Sequence, residues 1–63
     1  MPIIAIDGPK IADLDVKRRF VRELTDSAVK AYGLPEEAII VLLREGTPEN
    51  VGVAGTLVCD MEE

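Results

Sequence analysis

The sequence predicts an α/β chain: a single βαβ unit with a short C-terminal strand or hairpin, its sheet completed by oligomerisation. Three observations carry this reading. Two β-rich apolar segments, residues 2–6 and 38–44, flank one stretch of helical periodicity between Asp13 and Gly33. The second apolar segment has no polar alternation until its last residue, the pattern of a strand buried on both faces, as in a parallel sheet. The chain has 63 residues, one cysteine and no histidine, so it lacks both an internal disulfide and a Cys/His zinc site. Domains below about 70–80 residues without such staples rely on oligomerisation or very regular packing. One domain spanning residues 1–63 is expected.

Pro2-Ile3-Ile4-Ala5-Ile6 reads as a strand, closed by the turn signal Asp7-Gly8-Pro9. After an arm, Lys10-Ile11-Ala12, a helix is expected with Asp13 as N-cap, or with Asp15 as cap or first-turn acid. Val16, Phe20, Leu24, Ala28 and Ala31 recur at spacings of four and three and form its apolar stripe. Gly33 ends it, and Pro35 forbids continuation. Glu36 and Glu37 open a short turn before the second strand, residues 38–44. Residues 45–55 are rich in Gly and Pro and read as a loop, and Thr56-Leu57-Val58-Cys59 as a short strand or half a hairpin. One helix covers only one face of a two-stranded sheet, whereas Ile39 through Leu43 are apolar on both. Burying each Leu or Ile contributes about 1.5–3 kcal/mol, so the second face calls for another chain, most simply a second copy of this one.

Charge excludes further classes. Seven Lys+Arg against twelve Asp+Glu give a net charge of −5, unlike the basic face of a nucleic-acid binder. The basic run Lys17-Arg18-Arg19 with Arg22 is interleaved with Asp15, Glu23 and Asp26, as on a solvated helix face. No apolar run approaches the ~20 residues of a membrane span, and no signal peptide is recognisable. The expected setting is the cytoplasm, with no membrane or nucleic-acid partner.

Chemistry concentrates at the start. Met1-Pro2 is a context in which methionine aminopeptidase generally removes the methionine, leaving a free prolyl amine at the tip of a strand. An apolar pocket or nearby cations disfavour the charged form of an amine and lower its pKa. Such an amine can serve as a general base near neutral pH. The plainer reading is that Pro2 merely follows the initiating methionine.

An N-terminal proline, the start Pro2-Ile3, the helix register from Lys17 to Leu24, and the segment Val51-Gly52-Val53-Ala54-Gly55 together resemble the 4-oxalocrotonate tautomerase family, over essentially the whole chain. The last segment is similar to that family's Phe-Gly-Ile-Gly-Gly loop. The resemblance implies a trimer-of-dimers hexamer, or a smaller or mixed assembly. It also implies a cofactor-independent isomerase in which the prolyl nitrogen shuttles a proton in a 2-hydroxydienoate or keto–enol carboxylic acid. No metal or organic cofactor is implied.

The departures bear on the site. Family positions that carry an arginine on the arm, an arginine on the second strand and a phenylalanine in the glycine loop hold Ala12, Ile40 and Val51 here. Lys10 is the candidate replacement for the first cation. Strand alternation places Ile40, Leu42 and Arg44 on one face, so Arg44 can replace the second from four residues further along. Either cation would bind a substrate carboxylate or stabilise an enolate, and Val51 would line the pocket. The bland alternatives are a turn residue for Lys10 and a solvated strand end for Arg44, paired with Glu45. Arg18 or Arg19 could reach a neighbouring subunit's pocket. Cys59, with no histidine to activate it, reads as a small buried or semi-buried side chain, and Tyr32 as packing with an exposed hydroxyl. Two other functions stay open: hydration or dehalogenation of unsaturated acids by the same amine, and a non-catalytic oligomer subunit that has lost the chemistry.

Overall fold

The computed structural model describes residues 1–61. Strand β1 (Ile3–Pro9) leads through the arm into helix α1 (Leu14–Tyr32), and a short 3-10 turn, Glu36–Ala38, feeds strand β2 (Ile40–Gly46). A second 3-10 turn (Pro48–Asn50) precedes the small hairpin of β3 (Gly52–Val53) and β4 (Thr56–Leu57), and a third, Val58–Asp60, follows it. β1 and β2 pair in parallel with Ile3 opposite Ile40, Ala5 opposite Leu42 and Asp7 opposite Arg44. The chain is therefore the βαβ unit with a C-terminal hairpin that the sequence predicts.

The helix ends follow the sequence signals. Asp13 caps α1, its carboxylate accepting the Asp15 N–H at 2.8 Å. Gly33 closes it at φ 67°, donating its N–H to the Val29 carbonyl at 2.8 Å. The inward face is shifted around the axis from the expected stripe. Phe20, Leu24 and Ala28 do face inward, but Val16 and Ala31 are exposed, and Val21, Thr25 and Val29 take part instead. The pairs 20/21, 24/25 and 28/29 add a neighbouring row to the expected stripe, so the inward face is wider than a single line of residues.

The strand limits differ from expectation at both ends. Asp7-Gly8-Pro9 is not a turn but the last three residues of β1, paired with Arg44, Glu45 and Gly46. β2 correspondingly starts at Ile40, two residues late, and runs two residues past Arg44. Proline is tolerated there because β1 has an unpaired edge, where no N–H is needed, and Pro9 is its final residue.

The sheet has one covered and one open face. Ile4, Ile6, Val41 and Leu43 are partly buried towards the helix, whereas Ile3 is 55% and Leu42 43% exposed on the opposite face. Among the described residues only Ala28 and Ile39 count as buried apolar side chains, and none is completely enclosed. The Cα radius of gyration is 15.1 Å, with extents of 44 × 23 × 14 Å, against about 11 Å for a compact chain of this length. A single copy thus presents its apolar surface rather than enclosing it. Such a chain requires completion from outside.

Candidate active site

The C-terminal ends of β1 and β2 part company, one into the arm and the other into the loop before the hairpin. Between them lies a cleft of about 860 Å³. Its apolar lining comes mainly from Pro9, Pro48, Val51 and Val58, and its charges from Asp7, Lys10, Arg44 and Glu45. Lys10, Arg44 and Val51, nominated from far-apart parts of the sequence, therefore share one concavity. Val51 is seated by Gly46: a Cβ built on that glycine would lie 3.1 Å from the Val51 Cγ2. The Val58 N–H donates to the Val51 carbonyl at 2.8 Å, bringing the residues after the hairpin back to the same wall.

Pro2 is elsewhere. It stands at the other end of the sheet, its carbonyl accepting the Ile40 N–H at 3.1 Å. Five residue-to-residue steps of extended chain separate it from Asp7, about 16 Å at ~3.3 Å per residue. Within one chain the prolyl nitrogen and the cleft do not meet.

The charges in the cleft are unequally committed. Arg44 donates from Nε and Nη2 to the two carboxylate oxygens of Asp7, at 2.8 and 3.1 Å. This fork lies across the open face of the sheet and holds the Asp7 carboxyl below its usual range, chiefly through the hydrogen bond. Arg44 is thus paired with Asp7 and not with Glu45. Glu45 points to the helix side. Its Oε2 accepts the Ile11 N–H at 2.9 Å and meets the Lys17 Nζ at 2.9 Å. The backbone hydrogen bond from Ile11 is the largest cause of its lowered pKa, followed by Lys17, with a weaker pull from Lys10. Lys10 itself forms no ion pair among the described residues. It is the cleft cation available to an incoming anion.

Asp7 and Glu45 are the site residues that sequence reading missed. Asp7 reads locally as part of a turn, whereas the parallel pairing of residues 3–9 with 40–46 sets it opposite Arg44. Glu45 has no comparable signal, because its role depends on where the arm crosses the sheet end.

The remaining candidates are occupied or peripheral. Arg18 pairs with Asp15 at 2.7 Å, and Arg22 with both Asp26 and Glu36, at 2.8 and 2.7 Å. Most of the basic helix face is thus paired within the chain, although Arg19 has no ion pair among the described residues. Arg19 borders a shallow groove with Ile11, Val16, Phe20 and Glu23. Cys59 is exposed on the single chain, not buried, because it falls in the 3-10 turn after β4. Tyr32 is 63% exposed and packs less than expected. No cluster of metal-ligating side chains occurs among the described residues, and no described helix is long and apolar enough to cross a membrane.

Comparison with known proteins adds the ancestry. Residues 2–61 match the family model described as tautomerase enzyme. DmpI from Archaeoglobus fulgidus is 44% identical, over 94% of this chain and 100% of that one, with a TM-score of 0.80. A 4-oxalocrotonate tautomerase homologue is 28% identical over the whole of both chains, with a TM-score of 0.90. A heterohexameric 4-oxalocrotonate tautomerase from Chloroflexus aurantiacus shares the fold at 19% identity, with a TM-score of 0.82 over 98% of this chain and 100% of that one. Among curated proteins, none matches the sequence.

Proposed function

Because this chain belongs to the tautomerase enzyme family, we propose that it is a cofactor-independent isomerase acting on a small 2-hydroxydienoate or keto–enol carboxylic acid in the cytoplasm. The general base is the nitrogen of Pro2, freed by removal of Met1. The observation that carries this reading is the extent of the family match, which begins at Pro2 itself and runs to residue 61.

The chemistry requires little. The neutral prolyl nitrogen takes the proton of the enol hydroxyl, the electron pair on oxygen forms the carbonyl, and the double-bond electrons shift to carbon. The prolinium then returns the proton to that carbon, so proton and electrons balance without a cofactor. A neighbouring cation favours the neutral amine and stabilises the enolate as it forms. Lys10 is the cation suited to this, since Asp7 occupies Arg44. Val51 supplies apolar wall against the body of the substrate. Arg44 serves a second carboxylate only by giving up part of its fork with Asp7.

The separation of Pro2 from the cleft gives the assembly a catalytic purpose. A second copy must bring its own Pro2 to the cleft of the first, so the working unit is a homo-oligomer, a hexamer in this reading. The open sheet face with Ile3 and Leu42 supports the same conclusion from burial alone.

The test is an assay of the mature protein on 2-hydroxymuconate and phenylenolpyruvate, with the N-terminus defined by mass spectrometry. Pro2→Ala, which leaves a primary amine in place of the secondary one, is expected to lower kcat by up to about 10²-fold, the lower end of what a positioned general base contributes. A form that retains Met1, in which the Pro2 nitrogen is an amide, should be inactive. Undiminished activity in either would sink the assignment of the base. Absence of tautomerisation by the trimmed wild type would instead favour a non-catalytic subunit.

A further inference from the structure

The cleft offers unequal welcome to one carboxylate and to two. Four charged side chains line it: Asp7, Lys10, Arg44 and Glu45. Both oxygens of Asp7 are engaged by Arg44, and one oxygen of Glu45 is shared by the Ile11 N–H and Lys17. Of the two cations lining the cleft, that leaves Lys10 without an ion pair among the described residues, set beside Pro9, Pro48, Val51 and Val58. An anion held by Lys10 places the rest of its molecule on an apolar wall. A second carboxylate finds only Arg44. To use it, that carboxylate must displace Asp7, which then remains a few ångströms away as a like charge. Electrostatic discrimination of this kind works by repulsion of the wrong ligand as much as by attraction of the right one.

We propose that the cleft selects enol acids with a single carboxylate and an apolar remainder over dicarboxylates, with Asp7 as the residue that sets the preference. The inference deepens the reading of the cleft as a carboxylate site and rests on it, but does not depend on the proton-transfer chemistry at Pro2. Lys10 anchors the carboxylate. Asp7 touches no substrate; it acts by holding Arg44.

The experiment compares the binding of two saturated, unreactive acids to the assembled mature protein by isothermal titration calorimetry. Hydrocinnamate carries one carboxylate and an apolar ring, and adipate carries two carboxylates. The wild type should bind hydrocinnamate more tightly. Asp7→Asn releases Arg44 and should shift the affinity ratio towards adipate by about fivefold, the upper range for a water-exposed ion pair. Asp7→Glu, which keeps the charge, should retain the wild-type ratio. A structural role for Asp7 would weaken both ligands together and leave the ratio unmoved.

Wild-type protein that binds adipate as tightly as hydrocinnamate, or binds neither, overturns the proposal without requiring any variant. An unchanged ratio in a folded Asp7→Asn protein does the same. Neither acid has an enol proton, so failure of catalysis by Pro2 cannot produce these results. Conversely, an active tautomerase that prefers adipate refutes the selectivity alone.

Discussion

Replacing Leu42 by glutamate should dissociate the assembly. Leu42 lies mid-strand on the open face, 43% exposed, opposite Ala5 and on the same face as Ile3, itself 55% exposed. Full burial of a leucine contributes about 1.5–3 kcal/mol, so covering the exposed part of Leu42 contributes roughly 0.7–1.3 kcal/mol per chain. In a two-fold contact both copies of Leu42 are covered, giving ~1.3–2.6 kcal/mol. Losing that burial raises the dissociation constant by about 10- to 80-fold, and a carboxylate on the covered face adds its desolvation to the loss. Sedimentation velocity across a dilution series reads this directly. The wild type should run as an oligomer, and Leu42→Glu should shift to smaller species at concentrations where the wild type remains assembled. The same sedimentation profile for both proteins, or a folded wild-type monomer of 6.8 kDa, would refute the reasoning from the open face.

Two further outcomes test local features. Gly55 has φ 85° at the hairpin turn, next to Ala54 at φ 53°, the paired positive angles of a type I′ turn. Gly55→Ala should therefore destabilise the β3–β4 hairpin by about 1 kcal/mol, visible as a lower Tm and faster amide exchange around residues 52–57. The pH dependence should be acidic in its onset. Asp7 and Glu45 are both lowered in the folded state, from ordinary values of 3.8 and 4.5. Each thus contributes stability that is complete above its unfolded pKa and is lost as pH falls through the lower, folded one. Tm should be level above about pH 5 and fall below pH 4, and Glu45→Gln should flatten part of that fall. A fall beginning near neutrality would contradict these assignments.

The features legible in the sequence are those decided within a few residues. The α1 cap at Asp13 and stop at Gly33 depend on one side chain and one backbone angle, and both lie where the sequence puts them. The β1 and β2 limits depend on partners 37 residues apart, and there local turn chemistry misleads: Asp-Gly-Pro reads as a break until Arg44 and Glu45 are known to lie beside it. The site shows the same division. Lys10, Arg44 and Val51, which the family resemblance singles out, lie on one cleft. That Asp7 already holds Arg44 follows only from the pairing register. Where Pro2 goes is not a property of one chain at all, since ~16 Å of strand separates it from Asp7.

The Asp7–Arg44 fork has a consequence for how the two strands find their alignment. Ile3, Ile4, Ile6, Ile40, Val41, Leu42 and Leu43 are nearly interchangeable as pairing partners, and a slide of two residues keeps every side chain on its own face. Apolar burial alone would leave several such alignments close in energy. A two-residue slide sets Asp7 opposite Leu42 or Gly46 and breaks the fork. It also carries Glu45 away from the Ile11 N–H. The two carboxylates at the strand ends favour one alignment of an otherwise greasy pair, the one in which the cleft residues meet.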